Sequence, residues 1–309
     1  MEPPETTGRQ CSTMPLHRAA FIVWLLTWES SAIAIDLAPL TDFSKPGLSE
    51  QRLRAALATA SRDDGLILQT QIARTYGIRG DFARAREILT SIEPQIQTAS
   101  AEVRVRHALE TGRTLASATH PLDAQTPEAQ ELARSAYLRA FELAKAERLD
   151  GLAVDALHML AFVDTAPLDQ LKWGQAALAM AEASPQTGAR KWEASLRNNV
   201  GYALKQLGRY DEALVQFRQA VVLRERAQNA EATRAAHWMV ASTLRALSHF
   251  DEALEIQLRL ERECDAAGTP DPYVFEELEI LYLGRGDDVR AKLYAARRKA
   301  AAERAMHGQ

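Results

Sequence analysis

Apolar residues recur at helical spacing through most of this sequence, and the clearest example lies between residues 192 and 227. Val200, Leu204 and Leu207 are separated by four and three positions, which places them on one face of a helix. Gly208 follows, a residue type that readily adopts the left-handed conformation found at many helix ends. A second stripe of helical spacing is then made by Ala213, Phe217, Ala220 and Val221. The pattern predicts two antiparallel helices joined by a tight turn.

Small residues occupy the positions at which the two predicted helices would cross. Gly201 lies in the first helix, and Ala213 and Ala220 lie in the second, so the two backbones can approach each other closely. The same phasing returns further along the chain at Val240, Leu244, Phe250, Ala253 and Leu260. It also occurs earlier, at Ala73, Tyr76, Gly80, Phe82, Ala85 and Leu89. Recurrence of such a unit predicts an all-α fold, an α-solenoid of stacked antiparallel helix pairs.

These features together resemble the tetratricopeptide repeat (TPR), in which a small residue, a turn glycine and an aromatic residue stand at fixed offsets. The chain is similar to bacterial proteins of this family without an assigned function. The resemblance implies a right-handed solenoid whose concave wall, made by the first helix of each pair, binds ligands. The longer units resemble those of the kinesin light chain group, whose paired asparagine is matched here by Asn198 and Asn199.

The repeats predict one solenoid over residues 48–309, built from six helix pairs of variable spacing. The best repeats are 66–94, 194–227 and 234–267, and the degenerate ones are 105–147, 152–183 and 272–306. Residues 35–47 are predicted to form an extended linker, because Pro39 and Pro46 disfavour helix. Ser49 is predicted to open a short helix that caps the solenoid. The repeat that begins at residue 66 is expected to end at Pro94.

The first 34 residues allow two interpretations. Residues 19–28 form an apolar stretch of about ten residues, shorter than the ~20 that a helix needs to span a bilayer, so stable membrane insertion is not expected. If translation begins at Met14, residues 14–34 fit a secretory signal cleaved after Ala34, which favours export to the periplasm. The alternative is a disordered or wrongly assigned leader on a cytoplasmic protein.

Composition supports a helical protein and narrows the classes of partner. The chain has 309 residues, of which 47% are hydrophobic and 25% charged, with a formal net charge of −4. A weakly acidic chain gives no electrostatic argument for nucleic acid. The histidines lack metal-binding spacing and no phosphate-binding glycine loop occurs, so no metal or cofactor is predicted.

Helical geometry selects the residues that would face the concave groove. Positions six, three and two before the crossing residue, and one and four after it, lie opposite the packing stripe. This rule gives Thr70, Gln71, Arg74, Arg106, Glu110, Arg113, Asp155, His158, Met159, Phe162, Ser195, Asn198, Asn199, Tyr202, Lys205, Trp238, Met239, Ser242, Arg245, Tyr273, Glu276 and Glu277.

The chemistry of this set favours a peptide ligand, since arginines bind carboxylates, amides pair with backbone and aromatic rings accept apolar side chains. The candidate peptide-binding residues are Asn198, Asn199, Tyr202, Trp238, Arg245, Arg106, Arg113, His158 and Tyr273. Recognition of a terminal carboxylate is disfavoured, because Ala235 and Met239 stand where that mode requires basic residues. The predicted function is a scaffold that binds an internal segment of a partner protein, without catalysis.

Three alternatives remain open at this point. Arg106, Glu110 and Arg113 are spaced to form an ion-pair ladder along one helix, which would leave them no role in binding. The last helix or an unsealed edge of the solenoid could pack on a second copy and form a homo-oligomer. Asp155 and His158 lie three positions apart and could orient an imidazole for hydrolysis.

Overall fold

The computed structural model describes residues 35–306, in which the regular secondary structure is helical and loops join the helices. Fourteen α-helices follow one another, one of them a single turn. Their bounds are α1 Pro46–Leu57, α2 Arg62–Ile78, α3 Phe82–Ile96, α4 Ala101–Leu115, α5 Pro127–Ala146, α6 Asp150–Val163, α7 Pro167–Ala183, α8 Thr187–Arg190, α9 Glu193–Gln206, α10 Tyr210–Arg226, α11 Ala230–Ala246, α12 Phe250–Ala266, α13 Pro272–Gly284 and α14 Asp288–Met306. The predicted signal peptide or leader, residues 1–34, lies outside the described residues.

The helices are arranged as successive pairs. Apart from the single-turn helix α8, each helix packs against the one that follows it, and α7 packs directly on α9. The pairs are α2 with α3, α4 with α5, α6 with α7, α9 with α10, α11 with α12 and α13 with α14, and α1 packs on α2. The first helices of neighbouring pairs also touch at α2 with α4, α4 with α6 and α11 with α13. The prediction of an all-α solenoid fold is confirmed.

The helix crossings depend on glycine where an aromatic side chain enters the pair. A Cβ atom added at Gly201 would lie 2.7 Å from the ring of Phe217, and one added at Gly112 would lie 2.5 Å from the ring of Tyr137. Both rings are fully buried. The α4–α5 pair therefore packs in the same way as the α9–α10 pair, although the loop that joins α4 to α5 is longer.

Tyr137 was not predicted from the sequence as the partner of Gly112. A signal was nevertheless present, because Ala133, Tyr137 and Ala140 repeat the spacing of the alanine, aromatic and alanine in α10. These three side chains of α5 are completely buried.

One hydrophobic cluster runs through most of the helix pairs. It begins at Val105 in α4 and continues without interruption to Leu281 in α13. A second cluster fills the space between α12, α13 and α14, around Phe275 and Tyr294. A core that extends from pair to pair, each pair contacting its neighbours, is typical of solenoids. Within residues 35–306 no helix has both the length and the apolar character required to cross a membrane.

Two boundaries differ from the sequence prediction because of how proline is accommodated. Helix α1 starts at Pro46 rather than at Ser49, since proline is tolerated in the first turn, where its missing N–H has no helical acceptor. Ser49 is instead buried and its hydroxyl donates to the carbonyl oxygen of Asp42 at 2.7 Å. Helix α3 continues through Pro94 to Ile96, whose side chain is buried in the core.

Candidate functional site

The first helices of the pairs carry their polar and aromatic side chains in parallel stripes. We call the surface made by α2, α4, α6, α9, α11 and α13 the first-helix wall. On three of these helices the stripe has spacings of four and three, so its members lie along one face. The residues are Asn198, Tyr202 and Lys205 on α9, Trp238, Ser242 and Arg245 on α11, and Tyr273, Glu277 and Ile280 on α13.

A buried polar network joins α9, α11 and α13. The carboxylate of Glu277 accepts hydrogen bonds from Nε of Arg245 at 2.6 Å and from Oγ of Ser242 at 3.0 Å. Nζ of Lys205 donates to the same Ser242 hydroxyl at 2.6 Å. Burial lowers the pKa of Lys205, whereas the hydrogen bond to Glu277 raises the pKa of Arg245. Arg245, a candidate for binding a partner's carboxylate, already has an internal one.

Trp238 and Tyr273 form an aromatic contact between α11 and α13. The indole N–H of Trp238 donates to the carbonyl oxygen of Tyr273 at 3.1 Å, and the two ring centroids are 6.2 Å apart. The ammonium group of Lys205 lies 5.8 Å from the centroid of the Trp238 ring. Trp238 is half-buried, while 64% of Tyr273 is exposed. Tyr273 therefore offers an open ring face next to a fixed indole.

Asn198, Asn199 and Tyr202 form an open part of the same wall. Tyr202 is 52% exposed, and the two asparagines are half-buried. Within residues 35–306 neither asparagine amide is used in an internal hydrogen bond. An amide supplies both donors and an acceptor, so these groups can pair with the backbone of an extended peptide.

A ring of four charges joins α2, α4 and α6. Arg113 contacts Oε1 of Glu110 through Nη1 and Oδ1 of Asp155 through Nη2, both at 2.5 Å. Nη1 of Arg74 lies 3.7 Å from Oε1 of Glu110 and 3.9 Å from Oδ2 of Asp155. We call Arg74, Glu110, Arg113 and Asp155 the four-charge ring. Arg113 is held tightly, and Arg74 is held loosely.

The pKa values of the ring reflect this difference. Burial by itself would lower the pKa of Arg113, but the charges of Asp155 and Glu110 outweigh it and raise that pKa. Burial would raise the pKa of Asp155, but Arg113 and Arg74 outweigh it and lower that pKa. For Arg74 the balance is reversed, because burial and the nearby charge of Arg113 lower its pKa. The carboxylates therefore compensate Arg74 less well than Arg113.

The segment before α1 contributes to this part of the wall. The ring of Phe43 stacks on Arg74, whose guanidinium carbon lies 4.5 Å from the ring centroid. Thr70 and Gln71, which were predicted to face the groove, are buried in α2, on which α1 packs. The position of Phe43 in a predicted linker carries no periodic signal, so sequence reasoning could not identify this contact.

A cavity of about 240 Å³ opens beside the four-charge ring, between α2, α4 and α6. Most of its lining surface is apolar, and all three helices also contribute charged or polar side chains. The lining residues are Ala73, Arg74, Gly77, Ile78, Glu110, Arg113, Thr114, Ser117, Ala118, Thr119, His158, Met159 and Phe162. Arg74, Glu110, Arg113 and His158 were all assigned to the groove from the sequence, and the structure brings them together at this cavity.

His158 and Asp155 do not form the oriented pair that the hydrolase alternative requires. The carboxylate of Asp155 is bound by Arg113, and the imidazole packs between Phe162 and Trp192, with ring centroids 5.1 Å and 5.0 Å away. Nδ1 of His158 is buried and has no hydrogen-bond partner in the part of the chain that the structure describes. Burial lowers the pKa of His158 below its usual value of 6.5, so the ring is neutral at pH 7.

The predicted ladder of Arg106, Glu110 and Arg113 forms only in part. Glu110 pairs with Arg113, but Arg106 turns the other way and binds Glu102 at 2.8 Å. Both arginines therefore have internal carboxylate partners. Neither Arg106 nor Arg113 therefore has an unpaired charge with which to bind a carboxylate of a partner protein.

Comparison with known proteins supports the helical repeat fold. The tetratricopeptide repeat family model matches residues 194–228, which cover α9 and α10. No curated protein matches the sequence. The chain is similar to the apo form of RapI, with a TM-score of 0.65 and 12% sequence identity over 85% of this chain and 72% of RapI.

The chain is also similar to a signal transduction ATPase with numerous domains (STAND) that carries a tetratricopeptide repeat sensor, from Pyrococcus horikoshii. The TM-score is 0.63 and the sequence identity 13%, over 82% of this chain. This chain spans only 39% of that protein. At such identities the likeness concerns the fold alone. The tetratricopeptide repeat match over residues 194–228 lies within a helical repeat fold of the tetratricopeptide type.

Proposed function

We propose that this chain is a protein-interaction scaffold that binds an extended internal segment of a partner protein along the first-helix wall of α9, α11 and α13. The observation that carries the proposal is the open surface made by Tyr202 and Tyr273 with the amides of Asn198 and Asn199. These side chains offer ring faces and hydrogen-bonding groups that the fold itself leaves unused. Tyrosine is enriched among residues that dominate binding energy at interfaces.

The buried network behind this surface supports a rigid binding site. Lys205, Ser242, Glu277 and Arg245 connect the three helices, so their relative positions do not depend on a ligand. A preorganised surface loses less conformational entropy on binding. In this proposal Arg245 and Arg113 join neighbouring first helices, Arg106 pairs with Glu102 within α4, and Trp238 supplies one fixed ring face.

A selection experiment tests the proposal even while the partner is unidentified. A phage-displayed library of random peptides is panned against the full chain, and the enriched peptides are rescreened against variants. Asn199→Ala combined with Tyr202→Ala should abolish enrichment. Val222→Ala, which removes an exposed apolar side chain from the second helix α10, serves as the matched control and should retain it. Enrichment that persists in the double variant would overturn the assignment of this surface.

Self-assembly is a second candidate, favoured by the exposed face of α14. Val289 is 81% exposed and Leu293 is 54% exposed, four positions apart on a helix whose other face packs on α13. Such a stripe suits a second copy of the chain at the end of the solenoid. Light scattering coupled to size-exclusion chromatography should then give a dimer mass that returns to monomer in Leu293→Glu. A monomeric wild-type chain would exclude this candidate.

A further inference from the structure

A cavity between α2, α4 and α6 lies apart from the surface proposed above. It lies on the same wall but nearer the start of the chain, and none of its lining residues belongs to α9, α11 or α13. The size, charge and polar groups of the cavity determine which chemical group it accepts.

The size of the cavity fits one side chain. Pockets for drug-sized ligands are roughly 300–1,000 Å³, whereas a dry cavity of roughly 150 Å³ admits a benzene ring. At about 240 Å³ the cavity holds a large aliphatic or an aromatic side chain, and it is too small for a folded peptide.

The charge of the lining selects against an ionised side chain. The four-charge ring contains two arginines and two carboxylates, so its charges cancel. A third carboxylate would have to share Arg74 with Glu110 and Asp155, and a third cation would face both arginines. Either charge would be buried without a counter-charge of its own, which is strongly unfavourable. The rest of the lining includes Ile78, Met159 and Phe162, which favour an apolar group.

Polar groups at the same cavity can fix the backbone that carries this side chain. Arg74 lines the cavity, and its Nη1 lies 3.7 Å and 3.9 Å from the two ring carboxylates, beyond hydrogen-bonding distance. A peptide carbonyl in the cavity can therefore accept a hydrogen bond from Arg74. Thr114, Ser117 and Thr119 also line the cavity.

We infer that this cavity binds a single uncharged apolar side chain, of leucine to phenylalanine size, from the partner segment, and thereby determines which segments the scaffold accepts. This inference rests on the proposed function, because it assigns a selective subsite to the same binding wall. A charged side chain at the anchoring position is rejected by the neutral four-charge ring.

Capped amino acids test the site directly, since they carry one side chain and two peptide groups. The full chain is labelled at its methionine and isoleucine methyl groups and titrated with N-acetyl-leucinamide, N-acetyl-phenylalaninamide and, as charged counterparts, N-acetyl-lysinamide and the α-amide of N-acetyl-glutamate. The methyl resonances of Met159 and Ile78 should shift with the two apolar amides and remain unchanged with the two charged ones. No shift with any amide, or equal shifts with all four, would overturn the inference.

Two glycine variants separate binding in the cavity from binding elsewhere. Gly77 lies in the last turn of α2, lines the cavity and has no atom closer than 4.0 Å to a Cβ placed on it, so Gly77→Leu should fill the space without unfolding the chain. Gly284, in the last turn of α13, has open space around its Cβ position, and Gly284→Leu is the matched control. Gly77→Leu should weaken binding of the apolar amides at least tenfold, and Gly284→Leu should not.

The outcome for selected peptides distinguishes the inference from the proposed function. Peptides that require the cavity should lose binding to Gly77→Leu and should share an apolar residue at one position. If peptides bind Gly77→Leu as well as wild type but fail on Asn199→Ala with Tyr202→Ala, the subsite is overturned and the proposed function stands. If they bind both variants unchanged, both fail.

Discussion

Arg113 and Asp155 form a buried ion pair between two first helices, although 42 positions separate them in the chain. Nη2 of Arg113 lies 2.5 Å from Oδ1 of Asp155, and Nη1 lies 2.5 Å from Glu110. One guanidinium thus donates hydrogen bonds to two buried carboxylates, and Arg74 supplies the second positive charge. The fold uses Arg113 to connect α4 to α6, and this role determines what its replacement does.

Replacing Arg113 with methionine should strongly destabilise the chain, because Glu110 and Asp155 would stay buried without their main cation. Removing one partner of a buried pair typically costs about 3–5 kcal/mol. Urea unfolding followed by circular dichroism measures the free energy. Arg84→Met is the control, since Arg84 and Glu87 form an exposed pair, and such pairs contribute little to stability. Equal losses in the two variants would contradict a structural role for the four-charge ring.

Gly201→Ala should lower stability even though alanine favours helix. Its Cβ would lie 2.7 Å from the ring of Phe217, which is fully buried and cannot retreat. Overpacking costs about 1–3 kcal/mol, more than the roughly 1 kcal/mol gained in helix propensity. Gly284→Ala, where no atom lies within 4 Å of the Cβ, should leave thermal stability unchanged or raise it. A stabilised Gly201→Ala chain would refute this crossing geometry.

Gln257→Leu should stabilise the chain. Gln257 stands in α12 where α10 has Phe217, four residues after a buried alanine, and it is completely buried. Both Nε2 and Oε1 of its amide lack hydrogen-bond partners among residues 35–306. Leaving such groups unpaired costs about 1–3 kcal/mol, so their removal should raise the free energy of unfolding by about 1 kcal/mol or more. A loss of stability would mean that the amide has a partner in solution.

Stability should fall in mild acid, partly because of His158. Burial lowers its folded pKa below the ordinary value of 6.5, so the unfolded chain takes up a proton first as the pH drops. Its contribution is complete above pH 6.5 and diminishes below it as the folded pKa is approached. Asp155 stays ionised in this range, since its pKa is lowered from 3.8. The free energy of unfolding should therefore fall less between pH 7 and pH 5 in His158→Gln than in wild type. If the free energy of unfolding fell equally with pH in His158→Gln and in wild type, titration of this histidine would be excluded as a cause.

The helix pairs could be predicted from sequence because their signals are local. Gly201, Ala213 and Phe217 lie close together in the sequence and indicate one helix crossing. Neighbouring units repeat the same offsets. The prolines were harder to interpret, since Pro46 and Pro94 mark a helix start and a helix interior rather than two breaks. Whether proline ends a helix depends on its position in the turn and on which neighbours are buried.

The chemistry of the wall could be predicted only in part. The rule for groove positions selects Arg113, Asp155, Arg245 and Glu277, all of which lie on first helices, but it does not identify the ion pairs that join them across helices. Their partners lie on other helices, 32 or 42 positions away, and no spacing within one helix identifies such a pair. Tyr202 and the asparagines remain open for the complementary reason, that no neighbouring helix supplies a partner within the described residues.

The affinity of a selected peptide for the chain tests the central claim most directly. Isothermal titration calorimetry would compare wild type with Asn199→Ala plus Tyr202→Ala and with Val222→Ala. Loss of a tyrosine at a binding hot spot costs about 2 kcal/mol or more, so the double variant should bind at least tenfold more weakly. Val222→Ala should retain the wild-type Kd. An unchanged Kd in the double variant, with its helical circular dichroism intact, would contradict the claim that this wall binds the partner.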